Sequence, residues 1–168
     1  MLRSTFMPLR ILMVSTEYPP MKGGVGRYTY NLTKALRKLG FEVDVVSNKL
    51  GNGEFSGLAP ENPENSRVLL DIVEKIQPDL VHVQYEHGLY GLKLDPINPR
   101  RTSTNIDSFY RDSHTPIVTT FHSAYPFKQW FNLISLIKMH PNQICLEGFL
   151  RMSSDTGRCC STIAHFTI

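Results

Sequence analysis

No stretch of this sequence approaches the roughly 20 consecutive apolar residues that a membrane-spanning helix needs. The first ten residues carry Arg3 but no unbroken apolar core and no small-residue cleavage site, so they do not read as a signal peptide. Cysteine is scarce. Cys145, Cys159 and Cys160 are odd in number and two are adjacent, which suits reduced thiols better than a disulfide framework. The cytosol is the location these absences point to. A basic stripe is also missing: the net charge is only +3, and Arg37-Lys38 and Arg100-Arg101 are the paired basic residues. A nucleic-acid binder needs a basic face, so these charges read as a solvated surface and no nucleic-acid partner is expected. A zinc site built from His140, Cys145, Cys159, Cys160 and His165 is not expected either, because no C-x-x-C pair exists to start a tetrahedral set.

What is present suits one globular domain spanning residues 1–168, with 41% hydrophobic residues to build a core. Arg10 to Ser15 is a nearly all-apolar run, as in a parallel strand covered on both faces. A loop with Pro19-Pro20 and Gly23-Gly24 follows, then a helical stripe of Val25, Tyr28, Leu32, Ala35, Leu36 and Leu39 that Gly40 should stop. Phe41 to Ser47 is a second strand, and Asn48 to Asn65 a mobile surface loop. A second helix, capped by Asn65 or Ser66, buries Val68, Leu69, Ile72, Val73 and Ile76 and ends before Pro78. Asp79 to Gln84 is the third strand. A polar stretch from Lys93 to Thr115 leads to the fourth, Pro116 to Phe121. Alternating strands and helices predict an α/β fold: a Rossmann-like parallel sheet with right-handed crossovers and helices on both faces. Beyond it, Phe127, Trp130, Phe131, Ile134 and Ile137 suggest one more amphipathic helix, residues 140–157 show no clean period, and Ser161 to Ile168 reads as a strand.

Ligands of open parallel sheets bind outside the carboxyl ends of the strands. That rule selects the loops holding Gly23-Gly24-Val25-Gly26, Tyr85-Glu86-His87-Gly88, and His122 with Ser123 and Tyr125. Glycines admit close backbone approach, and the helix that follows offers N–H groups and a positive dipole end to a phosphate or carboxylate. The plain alternative is a tight connecting turn. A dinucleotide fingerprint is excluded by the G-G-x-G spacing and by Ser47-Asn48 at the end of the second strand, with Asp44 lying inside it. This also disfavours an NAD-dependent oxidoreductase. An ATPase phosphate loop is excluded because no Gly-Lys-Ser/Thr follows. His122 is placed to accept, donate or clamp a proton near neutral pH; it would equally fit as a histidine bonded to a neighbouring loop. Glu86 and His87 would equally fit an exposed turn.

Three segments together resemble family 4 glycosyltransferases, retaining enzymes of the GT-B fold. They are Arg10 to Ser47 with Glu17-Tyr18-Pro19-Pro20 and the glycine loop, Asp79 to Gly88, and Pro116 to His122, in the family's order over residues 10–125. The resemblance implies the N-terminal, acceptor-side half of a hexosyltransferase-like enzyme. Gly23, Gly24 and Gly26 would approach the phosphates of a nucleotide-sugar donor, and His122 would sit at the reacting sugar as the catalytic group. Tyr85, Glu86, His87 and Ser123 would line the side of a sugar, glycan or lipid-linked acceptor. No bound cofactor or metal is implied. The family's donor domain, with its Glu-x7-Glu element, has no counterpart here, and residues 140–168 do not resemble the family. A fragment or truncated product is therefore expected, inactive alone, in the cytosol or peripheral at the cytosolic membrane face. The alternative is a non-catalytic module that pairs with a separate donor-domain subunit.

Overall fold

A computed structural model describes residues 8–94, 102–122, 143–146 and 164–167. Five parallel strands form the centre of the fold: β1 (Arg10–Val14), β2 (Glu42–Ser47), β3 (Phe55–Ser56), β4 (Leu80–Tyr85) and, after two two-residue strands β5 (Lys93–Leu94) and β6 (Thr102–Ser103), β7 (Ile117–Phe121). Two further strands, β8 (Gln143–Leu146) and β9 (Ala164–Thr167), extend the sheet. Its order is β3-β2-β1-β4-β7-β9-β8, with β9 antiparallel to both neighbours. The predicted strand at the end of the sequence is thus present, and a strand also occupies part of the span that showed no period. The aromatic helix expected around Trp130 lies outside the described residues.

Both faces of the sheet are covered, as the apolar run of β1 required. Ile11, Met13, Val43 and Val45 face α1 (Gly24–Lys38), which adds Leu32 and Leu36. Leu12, Val14, Val46, Val81 and Val83 face α2 (Asn65–Ile76) and α3 (Asp107–Asp112), which add Leu69, Ile72, Ile76 and Phe109. Each such fully buried side chain contributes roughly 1.5–3 kcal/mol of transfer free energy.

The stripe expected on α1 is displaced. Gly26, Thr29 and Thr33 are its buried positions, whereas Tyr28 and Leu39 are exposed. The reason is distance: a Cβ at Gly26 would lie 3.2 Å from the backbone of Glu17 and Tyr18. At that spacing only small side chains fit beneath the first turns. On α2, Ser66 does not cap the helix. Its hydroxyl donates to the Asn105 carbonyl (2.9 Å) and accepts from the Phe109 amide (3.1 Å), fastening α2 to α3. Asn65 instead exchanges two hydrogen bonds with the backbone of Ala59. The helix ends at Gln77, which adopts the left-handed conformation (φ 48°) in front of Pro78.

The segment read as a surface loop and the one read as a polar stretch both carry structure. The chain after β2 doubles back on itself so tightly that a Cβ at Gly53 would come within 2.7 Å of the Val45 carbonyl oxygen. This return places β3 beside β2 and buries Leu58. The carboxylate of Glu54 accepts from the Val45 amide (2.8 Å) and pairs with Arg37 (2.6 Å), covering the edge of β2. The polar stretch before β7 contains α3, whose Phe109 is completely buried.

Candidate active site

Strand order reverses at β1: β2 lies on one side of it and β4 on the other. The chains leaving β1 and β4 therefore flank the switch point, the position where ligands of such sheets bind. Ser15, fully buried at the end of β1, donates its hydroxyl to the Glu17 carbonyl (2.7 Å). Thr29 of α1 reaches the same Ser15 hydroxyl (3.4 Å) and bonds the Val25 carbonyl (2.7 Å). These bonds hold the loop after β1 against the first turn of α1.

The N-terminus of α1 has an extended Gly23 as its cap, which supplies no side-chain bond, and no acidic residue in its first turn. Glu17 takes that role from outside the helix. Its Oε2 accepts from the Gly26 amide at 3.3 Å, and a Cβ on Gly23 would collide with the carboxylate. A carboxylate is stabilised there by the orphan N–H groups and the dipole, by about 0.3–1 kcal/mol. The glycine loop was expected to present its N–H groups to a ligand; in this structure the Gly26 amide is bonded to the protein's own anion.

His122 follows β7 directly. Its amide donates to the Tyr85 carbonyl (2.9 Å), prolonging the β4–β7 ladder by one step. Its Nε2 lies 2.9 Å from Oε1 of the fully buried Gln84. The ring stands edge-on to Tyr28 of α1, with centroids 5.0 Å apart and planes at 76°. Partial burial pulls the His122 imidazole below its ordinary value, while the carboxylates of Glu17 and Glu86 pull it up. The glycine loop, Glu17, Glu86 and His122 therefore share one electrostatic neighbourhood. Beneath them His82 bonds Thr120 through Nε2 (2.9 Å), and burial together with His122 lowers it to about 4.

Tyr85 and His87 are placed differently. Tyr85 is 7% exposed and packs against Tyr90 and Phe121, with centroids 5.7 and 5.2 Å away. His87, also buried, stands edge-on to Tyr85 at 5.0 Å. Burial lowers its ring below the ordinary histidine value, against the opposing pull of Glu86 and Asp107. The two support the loop after β4 from the core side. Ser123 lies outside the described residues. Asp44, the acidic residue nearest in type to a ribose ligand, is bound to Arg10 (2.8 Å) within the sheet, so it is not presented to a nucleotide. Among the described residues no group of three or more His, Cys, Asp or Glu is placed to hold a metal ion, and no helix is long and apolar enough to cross a membrane.

Sequence reading passed over Glu17, Tyr28 and Gln84 as site residues. Glu17 stood in a quoted motif and Gln84 at the end of a strand, but nothing in their spacing shows that one caps a helix or that the other reaches a histidine 38 residues away.

The sheet is a Rossmann-like α/β domain with an anion-capped helix and a histidine gathered at its switch point. The family model described as Glycosyltransferase Family 4 matches residues 22–144, which include the glycine loop, Glu86 and His122. The chain belongs to glycosyltransferase family 4, and that family implies the GT-B fold, with this sheet as its N-terminal domain. No curated protein matches the sequence.

Proposed function

We propose that this chain supplies the acceptor-side half of a retaining glycosyltransferase, which moves a sugar from a nucleotide-sugar donor to an acceptor hydroxyl. One observation carries the reading: α1, whose first turn contains Gly24 and Gly26, also brings Tyr28 onto His122, so the glycine segment and the histidine, both within the family match, meet at one switch point. In such a transfer the bond from the anomeric carbon to the diphosphate oxygen breaks, a bond to the acceptor oxygen forms, and the acceptor proton passes to the departing diphosphate. Charge grows on the departing diphosphate. The first turn of α1, which is capped by Gly23 and contains Gly24 and Gly26, is suited to stabilise it through N–H groups and the helix dipole once Glu17 withdraws. His122 lies at the sugar, and Glu86 on the acceptor side, supported by Tyr85 and His87. The reading requires no bound metal, since the helix terminus and neutral donors take that electrostatic role.

The donor nucleotide would be held chiefly by a second domain. The isolated 168-residue chain is then expected to transfer no sugar, and the natural setting is cytosolic, at the membrane face where the acceptor is lipid-linked. An amide NMR titration of the chain with a nucleotide sugar at millimolar concentration tests the reading. Shifts should concentrate at Gly23 to Arg27, Glu86 and His122. Shifts confined to other surfaces would refute the site. Donor-dependent transfer by the isolated chain would refute the half-enzyme.

A further inference from the structure

Met13, Gln84 and His122 form a hydrogen-bonded line from the core to the carboxyl edge of the sheet. Met13 and Gln84 are both fully buried. The Gln84 amide nitrogen lies 3.3 Å from the Met13 sulfur, and its oxygen lies 2.9 Å from Nε2 of His122. A thioether accepts a hydrogen bond weakly and has no proton to give. The amide NH2 therefore belongs on the sulfur side, because the reverse orientation would set a carbonyl oxygen against the sulfur lone pairs and leave it buried without a partner. With the amide so oriented, the oxygen facing His122 can only accept. Nε2 must carry the proton, and in a neutral imidazole the lone pair then belongs to Nδ1.

We propose that Gln84, oriented by Met13, is a positioning residue that holds His122 in the Nε2–H tautomer, so that the ring offers a ligand an acceptor nitrogen rather than a donor. Such a nitrogen takes a hydrogen bond from a hydroxyl group, as on a sugar, and repels a phosphoryl oxygen. The ring's surroundings agree. Burial favours the neutral form against the pull of Glu17 and Glu86, and His82, lowered to about 4, adds no charge at neutral pH. Tyr28 packs edge-on against the ring and limits its rotation. The statement about the ligand rests on the function proposed above; the tautomer does not.

The test is long-range 1H–15N NMR on the whole chain labelled at histidine, at pH 8, with His122 signals assigned by their loss in His122→Asn. Exposed His114 is an internal reference for an unbiased imidazole. His122 should show a protonated Nε2 and an unprotonated Nδ1, with a tautomer ratio roughly tenfold beyond that of His114. Gln84→Leu should return the ratio to that of His114. Met13→Leu, which keeps the core volume, should move it part of the way by releasing the amide to flip. An Nδ1-protonated His122 in the unaltered chain would overturn the proposal, as would a ratio unchanged in Met13→Leu and Gln84→Leu. Should Gln84→Leu not fold, the unaltered chain and Met13→Leu decide the matter. No sugar enters the measurement, so a chain that binds none would sink the proposed function while leaving this inference standing.

Discussion

Glu17 and Gly26 are joined across the mouth of α1 by a carboxylate-to-amide hydrogen bond of 3.3 Å. A second anion arriving at this terminus meets a like charge. At about 4 Å that repulsion is ~1 kcal/mol in water and about 4 kcal/mol at the effective dielectric of a protein surface. Glu17→Gln keeps the size of the side chain and removes the charge. It should tighten the binding of inorganic pyrophosphate at Gly23 to Arg27 by about tenfold at low salt, with the gain fading as ionic strength rises. Amide shift titrations of both proteins read this directly. Equal affinities would show that the helix terminus does not hold the anion.

The three glycines at the start of α1 have separable roles. A Cβ on Gly24 meets nothing within 4 Å, so Gly24→Ala should leave stability within about 0.5 kcal/mol of the parent, or raise it through helix propensity. A Cβ on Gly26 would press at 3.2 Å on the backbone of Glu17 and Tyr18, which cannot move alone. Gly26→Ala should cost about 1–2 kcal/mol after its propensity gain is counted. Gly23→Ala meets only the end of the flexible Glu17 side chain, so it should displace that carboxylate with little loss of stability. Urea unfolding of the three variants separates these outcomes, and equal destabilisation at positions 24 and 26 would contradict them.

At the opposite end of the sheet Arg10 is a structural tie. Its guanidinium bonds Asp44 of β2 and the Ile76 carbonyl at the end of α2, and its backbone amide donates to Asp79. Its side chain is 38% exposed, which limits the electrostatic part. Arg10→Ala should therefore lower stability by about 1 kcal/mol, and the loss in Arg10→Ala/Asp44→Ala should be smaller than the sum of the two single losses. Full additivity in a double-mutant cycle would mean that the pair contributes nothing.

Strand β1 was legible as a nearly continuous apolar run, and β2, β4 and β7 as short segments rich in Val and Ile set between helices and turns, with boundaries off by about one residue. β3 was not, since two residues carry no period and the surrounding Gly, Asn and Glu look like any surface loop. α3 is six residues long, too short for a stripe, and its first residue, Asp107, is tied to the chain before it. Both the Thr104 amide and its hydroxyl bond the Asp107 carboxylate. Tyr28 was placed in the core because apolar residues at helical spacing imply a buried stripe. The close approach of Gly26 to the Glu17 backbone turns that stripe and leaves Tyr28 against His122 instead. The positions of Gly23 to Gly26, Glu86 and His122 were readable from where strands end. Glu17 and Gln84 act through contacts that only the folded chain creates.

His82 contributes to the acid sensitivity expected of this fold. Half-buried beside Thr120, it is lowered from 6.5 to about 4 by desolvation and by charge on His122. Its folded value lies below its unfolded one, so the stabilisation it reports is fully present above about pH 6.5. It is lost as pH falls towards 4, because the unfolded chain takes up the proton first. Linkage over that window gives a loss of about 2 kcal/mol between pH 7 and pH 5 from this residue. Other groups titrate in the same range, so the difference between proteins is the useful quantity. His82→Gln keeps a hydrogen-bonding side chain opposite Thr120 and removes the titration. Urea unfolding of both proteins at pH 7 and pH 5 should show the parent losing about 2 kcal/mol more than the variant. Parallel losses would mean that His82 is protonated in the folded state at pH 5, contrary to its burial. Below about pH 4 the two pH profiles should run parallel, because His82 is then charged in both the folded and the unfolded parent.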